Sequence, residues 1–201
     1  MTHFENRGAI VTGTTGIGTA VAKRLARGGA RVLACGIDAG ANALLKNEAA
    51  AEKLIIEIQQ CDVSSASDVE TGVQRAIKLF SGLDILVNAA AIHPYGTATE
   101  TDIATWNRCL SVNVTGIFLF AHFCVPEMRK RGGGAIVNVA SVQGHACQRR
   151  VAAYATSKGA ILSLTRALAL DYAADGIRVN SISPGSIATP MLELAARDVL
   201  T

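Results

Sequence analysis

The order of apolar segments most limits what this chain can fold into. Short runs rich in Val, Ile and Leu alternate with longer stretches rich in Ala, Leu and Lys or Arg. That is the pattern of β-α-β units built around parallel strands buried on both faces. Strand candidates fall at residues 9–12, 31–35, 55–60, 85–88, 135–140 and 178–182. Helix candidates lie between them at 18–27, 41–51, 67–80, 105–129 and 153–174. The expectation is an α/β fold, a doubly wound parallel sheet with helices on both faces, and residues 1–201 forming one domain. The last two helices exceed the ~11 to 12 residues of a mean helix, so they are expected to bury extra surface, against the sheet or against a second subunit.

Composition removes several functions. With 50% hydrophobic and 17% charged residues, the chain has enough apolar surface to offset its conformational entropy, which excludes extensive disorder. A formal charge of +3, scattered along the chain, is too small to mark a nucleic-acid or anionic-lipid surface. The longest basic run, Arg129-Lys130-Arg131, precedes three glycines and reads as a helix C-terminus. The five cysteines form no C-x-x-C pair and no cluster with histidine, so no metal site is expected and the thiols should be free. No leader-like segment opens the sequence, and no run reaches the ~18 to 20 apolar residues of a membrane span. A cytoplasmic protein is expected.

Immediately after the first strand comes Thr12-Gly13-Thr14-Thr15-Gly16-Ile17-Gly18, which leads straight into a helix. A strand-to-helix turn presents unpaired N–H groups and the positive end of the helix dipole, and residues without side chains let a pyrophosphate approach the backbone. Doubly wound sheets bind ligands where the carboxyl ends of their strands diverge, so the other strand ends matter too. These are Cys35-Gly36-Ile37-Asp38, Cys61-Asp62-Val63 and Asn88-Ala89-Ala90-Ala91. Asp38 stands at the distance from Gly18 where an acidic residue would hold a ribose hydroxyl of NAD; the competing role is a cap of the following helix, for which an aspartate here is well suited.

A second cluster carries chemistry. Ser141 closes the fifth strand, and Tyr154 and Lys158 sit four apart at the start of a long helix, hence on one face. A lysine ammonium beside a phenol, together with an oxidised nicotinamide, lowers the phenol's pKa from ~10 and makes Tyr154 a general acid/base candidate. Ser141 can hold a substrate oxygen for that proton transfer. His93, Tyr95, Gln143, His145 and Met191 lie beside these segments as candidate substrate contacts.

Taken together, the motifs resemble the short-chain dehydrogenase/reductase family from Gly8 to about Met191. They are the glycine loop at 12–18, Asp62-Val63, the segment 88–91, Asn113 within 111–116, Ser141, Tyr154-x3-Lys158 and the segment 184–190. The resemblance implies a Rossmann-type, three-layer α/β/α fold with six strands here, the family's usual further C-terminal strand being missing. It implies an NAD(P)-dependent oxidoreductase that interconverts a secondary alcohol and a ketone by hydride transfer. Asn113, Ser141, Tyr154 and Lys158 match the catalytic tetrad, the asparagine acting through a water that joins a proton relay. Gly13, Thr15, Gly16, Ile17, Gly18, Asp62, Val63, Asn88, Ala89, Ala90, Tyr154, Lys158, Pro184, Gly185, Ile187 and Thr189 match cofactor contacts. A homodimer or homotetramer through the two long helices is implied as well.

The sequence departs from the family in two informative places. Only Thr14 and Thr15 separate Gly13 from Gly16, one residue fewer than usual, and Gly36 stands where members preferring NAD usually carry an acidic residue. Ile37 and Thr15, at the positions where members preferring NADP place a cation, cannot pair with a 2′-phosphate. Asp38 then favours NAD over NADP, since a carboxylate accepts from hydroxyls and repels a phosphate. Two other readings compete: a non-catalytic dinucleotide-binding relative, and a mononucleotide-binding domain. Retention of all four catalytic residue types argues against the first, and the second gives no reason for Ser141, Tyr154 and Lys158.

Overall fold

The computed structural model describes residues 3–193. Six strands form one parallel sheet: β1 (Gly8–Thr12), β2 (Arg31–Gly36), β3 (Ile56–Gln60), β4 (Ile85–Asn88), β5 (Gly134–Val139) and β6 (Ile177–Ile182), in the order β3-β2-β1-β4-β5-β6. The helices are α1 (Gly16–Arg27), α2 (Ala39–Ala51), α3 (Ala66–Phe80), α4 (Ile103–Leu110), α5 (Gly116–Lys130) and α6 (Ala152–Tyr172). Sequence expectation and structure agree on every strand and on the Rossmann-type order.

Alternation along the strands builds the two outer layers. Ile10 of β1 packs into an apolar cluster with Val73 and Phe80 of α3 and with Phe120 and Met128 of α5. Its neighbours Ala9 and Val11 face the other side and pack with Ala22 and Leu25 of α1 and Leu45 of α2. A strand repeats every two residues, so an unbroken apolar run such as GAIVT serves both layers at once. Local chemistry sets the helix starts: the carboxylate of Asp38 accepts from Ala41 N–H at 2.6 Å, that of Asp102 from Thr105 N–H at 2.6 Å, and Ser65 Oγ from Asp68 N–H at 3.3 Å.

The helix expected at 105–129 differs. It starts at Ile103, and between α4 and α5 residues Ser111–Thr115 form a π-helical turn. One wide turn leaves the apolar periodicity on either side intact, so the sequence pattern does not reveal it; such turns concentrate at functional sites. The combined stretch Ile103–Lys130 is long and apolar enough to cross a membrane, yet half of its apolar window is buried within the protein. It is a core helix. All five cysteines are free; Cys147 is exposed and the other four are buried.

Because β3 is followed by a crossover to β4 on the far side of β1, the chain leaves the sheet in opposite directions from β1 and β4. The crevice this opens, above the carboxyl ends of the strands, is the expected ligand position of a doubly wound sheet.

Candidate active site

Thr12, the last residue of β1, fixes the floor of this crevice. Its Oγ1 accepts the N–H groups of Ala89 and Ala90, each at 3.0 Å, which ties the segment after β4 to the glycine turn. The turn itself is tight: a Cβ on Gly18 would stand 2.0 Å from the carbonyl oxygen of Gly13. That close approach lets α1 begin directly beneath the cleft. The N–H groups of its first turn have no acceptor within the helix and form a ready anion site.

At the other end of the same cleft, Ser141 leaves β5 in an extended conformation, and its Oγ accepts from Gln143 N–H at 3.2 Å. Tyr154 stands in the first turn of α6 and lines the cleft beside Ser141. One helical turn on, Lys158 is 2% exposed, donates from Nζ to the carbonyl of Val139 at 2.8 Å and lies 5.4 Å from the centre of the Tyr154 ring. The His93 ring meets Tyr154 edge-on at 3.9 Å between centroids, and Tyr95 at 4.6 Å.

Most of the residues singled out in the sequence line this one cleft. Gly13, Thr15, Gly16 and Ile17 form one wall, with Asp38, Asp62 and Val63 beyond them. Ala89 and Ala90 lie centrally, and Ser141, Tyr154 and Lys158 close the far end. Pro184, Gly185, Ile187 and Thr189 line it as well, Thr189 lying against Gly16, and His93, Tyr95, Gln143 and Met191 join the lining. No group of three or more His, Cys, Asp or Glu side chains among the described residues could hold a metal ion.

Three assigned residues are not on the wall. Asn88 is 3% exposed and donates from Nδ2 to Oδ1 of Asn138, its register partner on β5, at 2.8 Å; Asn138 in turn donates to Thr165 of α6 at 3.0 Å. Asn113 is fully buried and its amide is bound to protein: Oδ1 accepts from Ile92 N–H at 2.8 Å, while Nδ2 donates to Ile92 O and to Ser157 Oγ, each at 2.9 Å. Gly18 lies under the turn. Asp38, although on the wall, is engaged as the cap of α2. His145 is turned to Ser183, with Nε2 and Oγ 3.1 Å apart.

The short chain dehydrogenase family profile matches residues 7–199. The chain belongs to this family. Dehydrogenase/reductase SDR family member 4 from Oryctolagus cuniculus is 40% identical over 193 residues, covering 92% of this chain and 72% of the relative. The cis-4-hydroxycyclohexanecarboxylate dehydrogenase of Sinomonas cyclohexanicum is 36% identical over 198 residues, covering 98% and 79%. Among solved structures, a variant of actinorhodin polyketide ketoreductase with NADPH superposes with a TM-score of 0.93 at 31% identity, covering 98% of this chain and 77% of that one.

In this short-chain dehydrogenase, burial dominates the resting ionisation of Tyr154 and Lys158. It pushes the Tyr154 phenol above its ordinary value, against a smaller downward pull from the Ser141 hydroxyl. The expected lowering of that pKa is therefore not a property of the protein's own groups, because the Lys158 ammonium is directed at a backbone carbonyl. Burial also pulls Lys158 down, to about 8, with the Cys109 thiol acting weakly upward. At the other end, burial raises the Asp62 carboxyl, but hydrogen bonds from Ser64 and the Arg108 guanidinium outweigh it and leave the group below its ordinary value.

Sequence reasoning misses three positioning residues of this short-chain dehydrogenase. Thr12 looks like any strand threonine until its two acceptor bonds are seen. Ser157, fully buried, donates from Oγ to the Tyr154 carbonyl at 2.7 Å and so couples Asn113 to the first turn of α6. Arg108 reaches from α4 to Asp62 Oδ2 at 3.0 Å and Ser64 Oγ at 2.6 Å; only a helix-face register could have signalled it.

Proposed function

We propose that this short-chain dehydrogenase interconverts a secondary alcohol and a ketone with NAD as the favoured nicotinamide cofactor, and that the described residues work as one dinucleotide-binding unit. The observation that carries the reading is that Ser141, Tyr154 and Lys158 line the same end of the cleft, with Lys158 Nζ 5.4 Å from the centre of the Tyr154 ring. The residues present fit a dinucleotide: the tight Gly13–Gly18 approach leaves the first turn of α1 open to a pyrophosphate, and Asp62 and Val63 stand where the adenine would lie. When bound, the nicotinamide supplies the hydride acceptor or donor.

The chain's own groups do the rest. Ser141 Oγ hydrogen-bonds the reacting oxygen of the substrate and holds it against Tyr154. Tyr154 takes the alcohol's proton in oxidation and returns it in reduction. Lys158, charged once a ribose hydroxyl and the phenolate face it, stabilises that phenolate and fixes the ribose. Asn113 works at one remove, anchoring the backbone of Ile92 beside the substrate and Ser157 beneath Tyr154. The exposed Phe118 on α5 and Leu170 on α6 support assembly through these helices into a homodimer or homotetramer, and the reading includes a cytoplasmic setting.

A panel of neutral secondary alcohols and ketones, offered with NAD(H) and NADP(H) and followed through the absorbance of the reduced nicotinamide, tests the reading. Turnover of at least one member supports it. A protein that binds either dinucleotide but turns over none contradicts it.

A further inference from the structure

The segment after β4 and the loop before α6 meet at the Tyr154 end of the cleft. Gly96 N–H donates to the Arg150 carbonyl at 2.7 Å, and the Gly96 carbonyl accepts from Ala152 N–H at 3.3 Å. The Arg150 guanidinium lies 3.3 Å from the Glu100 carboxylate, so backbone and side chain both hold the joint. On this frame a run of contacts starts at Tyr154 and returns to Ser141. The His93 ring meets both Tyr154 and Tyr95 edge-on, and the Tyr95 hydroxyl accepts from Gln148 Nε2 at 3.1 Å. Gln148 N–H donates to Gln143 Oε1 at 2.8 Å, and Gln143 N–H donates to Ser141 Oγ at 3.2 Å. All six residues line the cleft.

The bonds within this run leave defined polar atoms unspent. Gln143 Oε1 is taken by a backbone N–H, which can only donate, so the two protons on its Nε2 remain. The Tyr95 hydroxyl receives a proton from Gln148 and keeps its own to give, while Gln148 Oε1 keeps its lone pairs. Exchanging O and N of the Gln148 amide would reverse these roles, and the pair would still offer one donor and one acceptor. None of these groups is charged. Lys158 apart, the charged residues lining the cleft are Asp38, Asp62 and Arg108. Asp38 and Asp62 follow β2 and β3, across β1 from β5, and Arg108 is paired with Asp62.

We infer that the site selects an uncharged substrate with a second oxygen, a hydroxyl or a carbonyl, which Tyr95 and Gln148 hold while Ser141 and Tyr154 take the reacting oxygen. The inference rests on the oxidoreductase reading above. Water serves polar atoms such as these until a substrate enters. A hydroxyl or carbonyl replaces that water bond for bond, whereas an apolar arm displaces it and leaves the atoms unpaired. A carboxylate or phosphate arm would lose its hydration here without meeting a cation to replace it. The rings of His93 and Tyr95 and the side chain of Met191 supply apolar surface for the carbon between the two oxygens.

Reduction of matched methyl ketones with NADH tests this. The pairs are acetoin with 3-methylbutan-2-one, 4-hydroxybutan-2-one with pentan-2-one, and 5-hydroxypentan-2-one with hexan-2-one; in each, a hydroxyl of the first is a methyl group in the second. In at least one pair wild type should favour the hydroxyl member about tenfold or more in kcat/KM, the scale of one net hydrogen bond. It should favour 5-hydroxypentan-2-one over levulinate, the carboxylate counterpart, by a similar factor of about ten. Tyr95→Phe, which keeps the ring against His93, and Gln148→Leu should each lower the favoured pair's ratio at least about fivefold. Greater intrinsic reactivity of a hydroxy ketone raises the ratio in every variant alike, and a merely structural loss lowers both members together, so neither imitates that result. Melting temperatures establish that each variant is folded. A ratio unchanged in either folded variant, no preference by wild type in any pair, or levulinate reduced better than 5-hydroxypentan-2-one overturns the inference; all three leave the oxidoreductase reading intact. Reduction of none of these ketones overturns both.

Discussion

Asn113 grips the first turn of α6 through Ser157: its Nδ2 donates to Ser157 Oγ at 2.9 Å, and that hydroxyl donates onward to the Tyr154 carbonyl at 2.7 Å. The bond crosses from the π-helical turn to the helix that carries the proposed acid/base, and both residues are fully buried. The π-helical turn is thereby tied to the first turn of α6 through two buried hydrogen bonds.

Ser157→Ala should cost about 1–3 kcal/mol of stability, because it removes one acceptor from a buried amide and one donor from a buried carbonyl. Urea unfolding measures it. Turnover should fall far less than on losing the Tyr154 hydroxyl, since Tyr154 keeps its hydroxyl and its place beside Ser141 in the cleft. A stability equal to wild type would show that the contact has no mechanical role.

Gly18→Ala should destabilise the chain by roughly 1–3 kcal/mol and abolish dinucleotide binding, because the added methyl falls 2.0 Å from the Gly13 carbonyl and neither backbone can retreat without opening the turn. Thermal melting and calorimetric titration read the two effects separately. A variant that binds as wild type would mean the turn is more compliant than its geometry indicates.

Lys158 gives a pH dependence with a definite sign. Its pKa falls from the ordinary 10.5 to about 8 on folding, chiefly through burial. Between those values the unfolded chain holds a proton that the folded chain has released, so stability rises with pH across that window and is lost as pH falls through about 8. The contribution is roughly 3 kcal/mol at most. Unfolding free energies measured across this range should rise for wild type relative to Lys158→Met. Parallel profiles would contradict the burial account.

Much of this was legible beforehand for a physical reason. Strands buried on both faces must be apolar throughout, so runs such as GAIVT and IVNV stand out against helices that face water on one side. The cleft residues were legible because strand ends and a glycine turn have few other uses together. What escaped was direction. Asn88 sits at a strand end, but its side chain points at its partner Asn138 rather than up into the cleft, and no sequence pattern distinguishes those outcomes. Asp38 reads first as a ribose contact and second as a cap on paper; the 2.6 Å bond from Ala41 N–H shows that it caps α2. The π-helical turn leaves no mark on apolar spacing, so the mechanical role of Asn113 became visible only through its bonds to Ile92 and Ser157.

The central claim is that the Tyr154 hydroxyl, set by Ser141 and Lys158, moves the proton. Tyr154→Phe keeps the ring against His93 and removes only that hydroxyl. Calorimetric NADH binding and steady-state turnover of the best alcohol, both measured on this variant, test it most directly. The account predicts an NADH affinity within about twofold of wild type and a kcat lower by at least ~100-fold, the usual scale of a lost general acid/base. A kcat within about tenfold of wild type, with NADH binding intact, would contradict it.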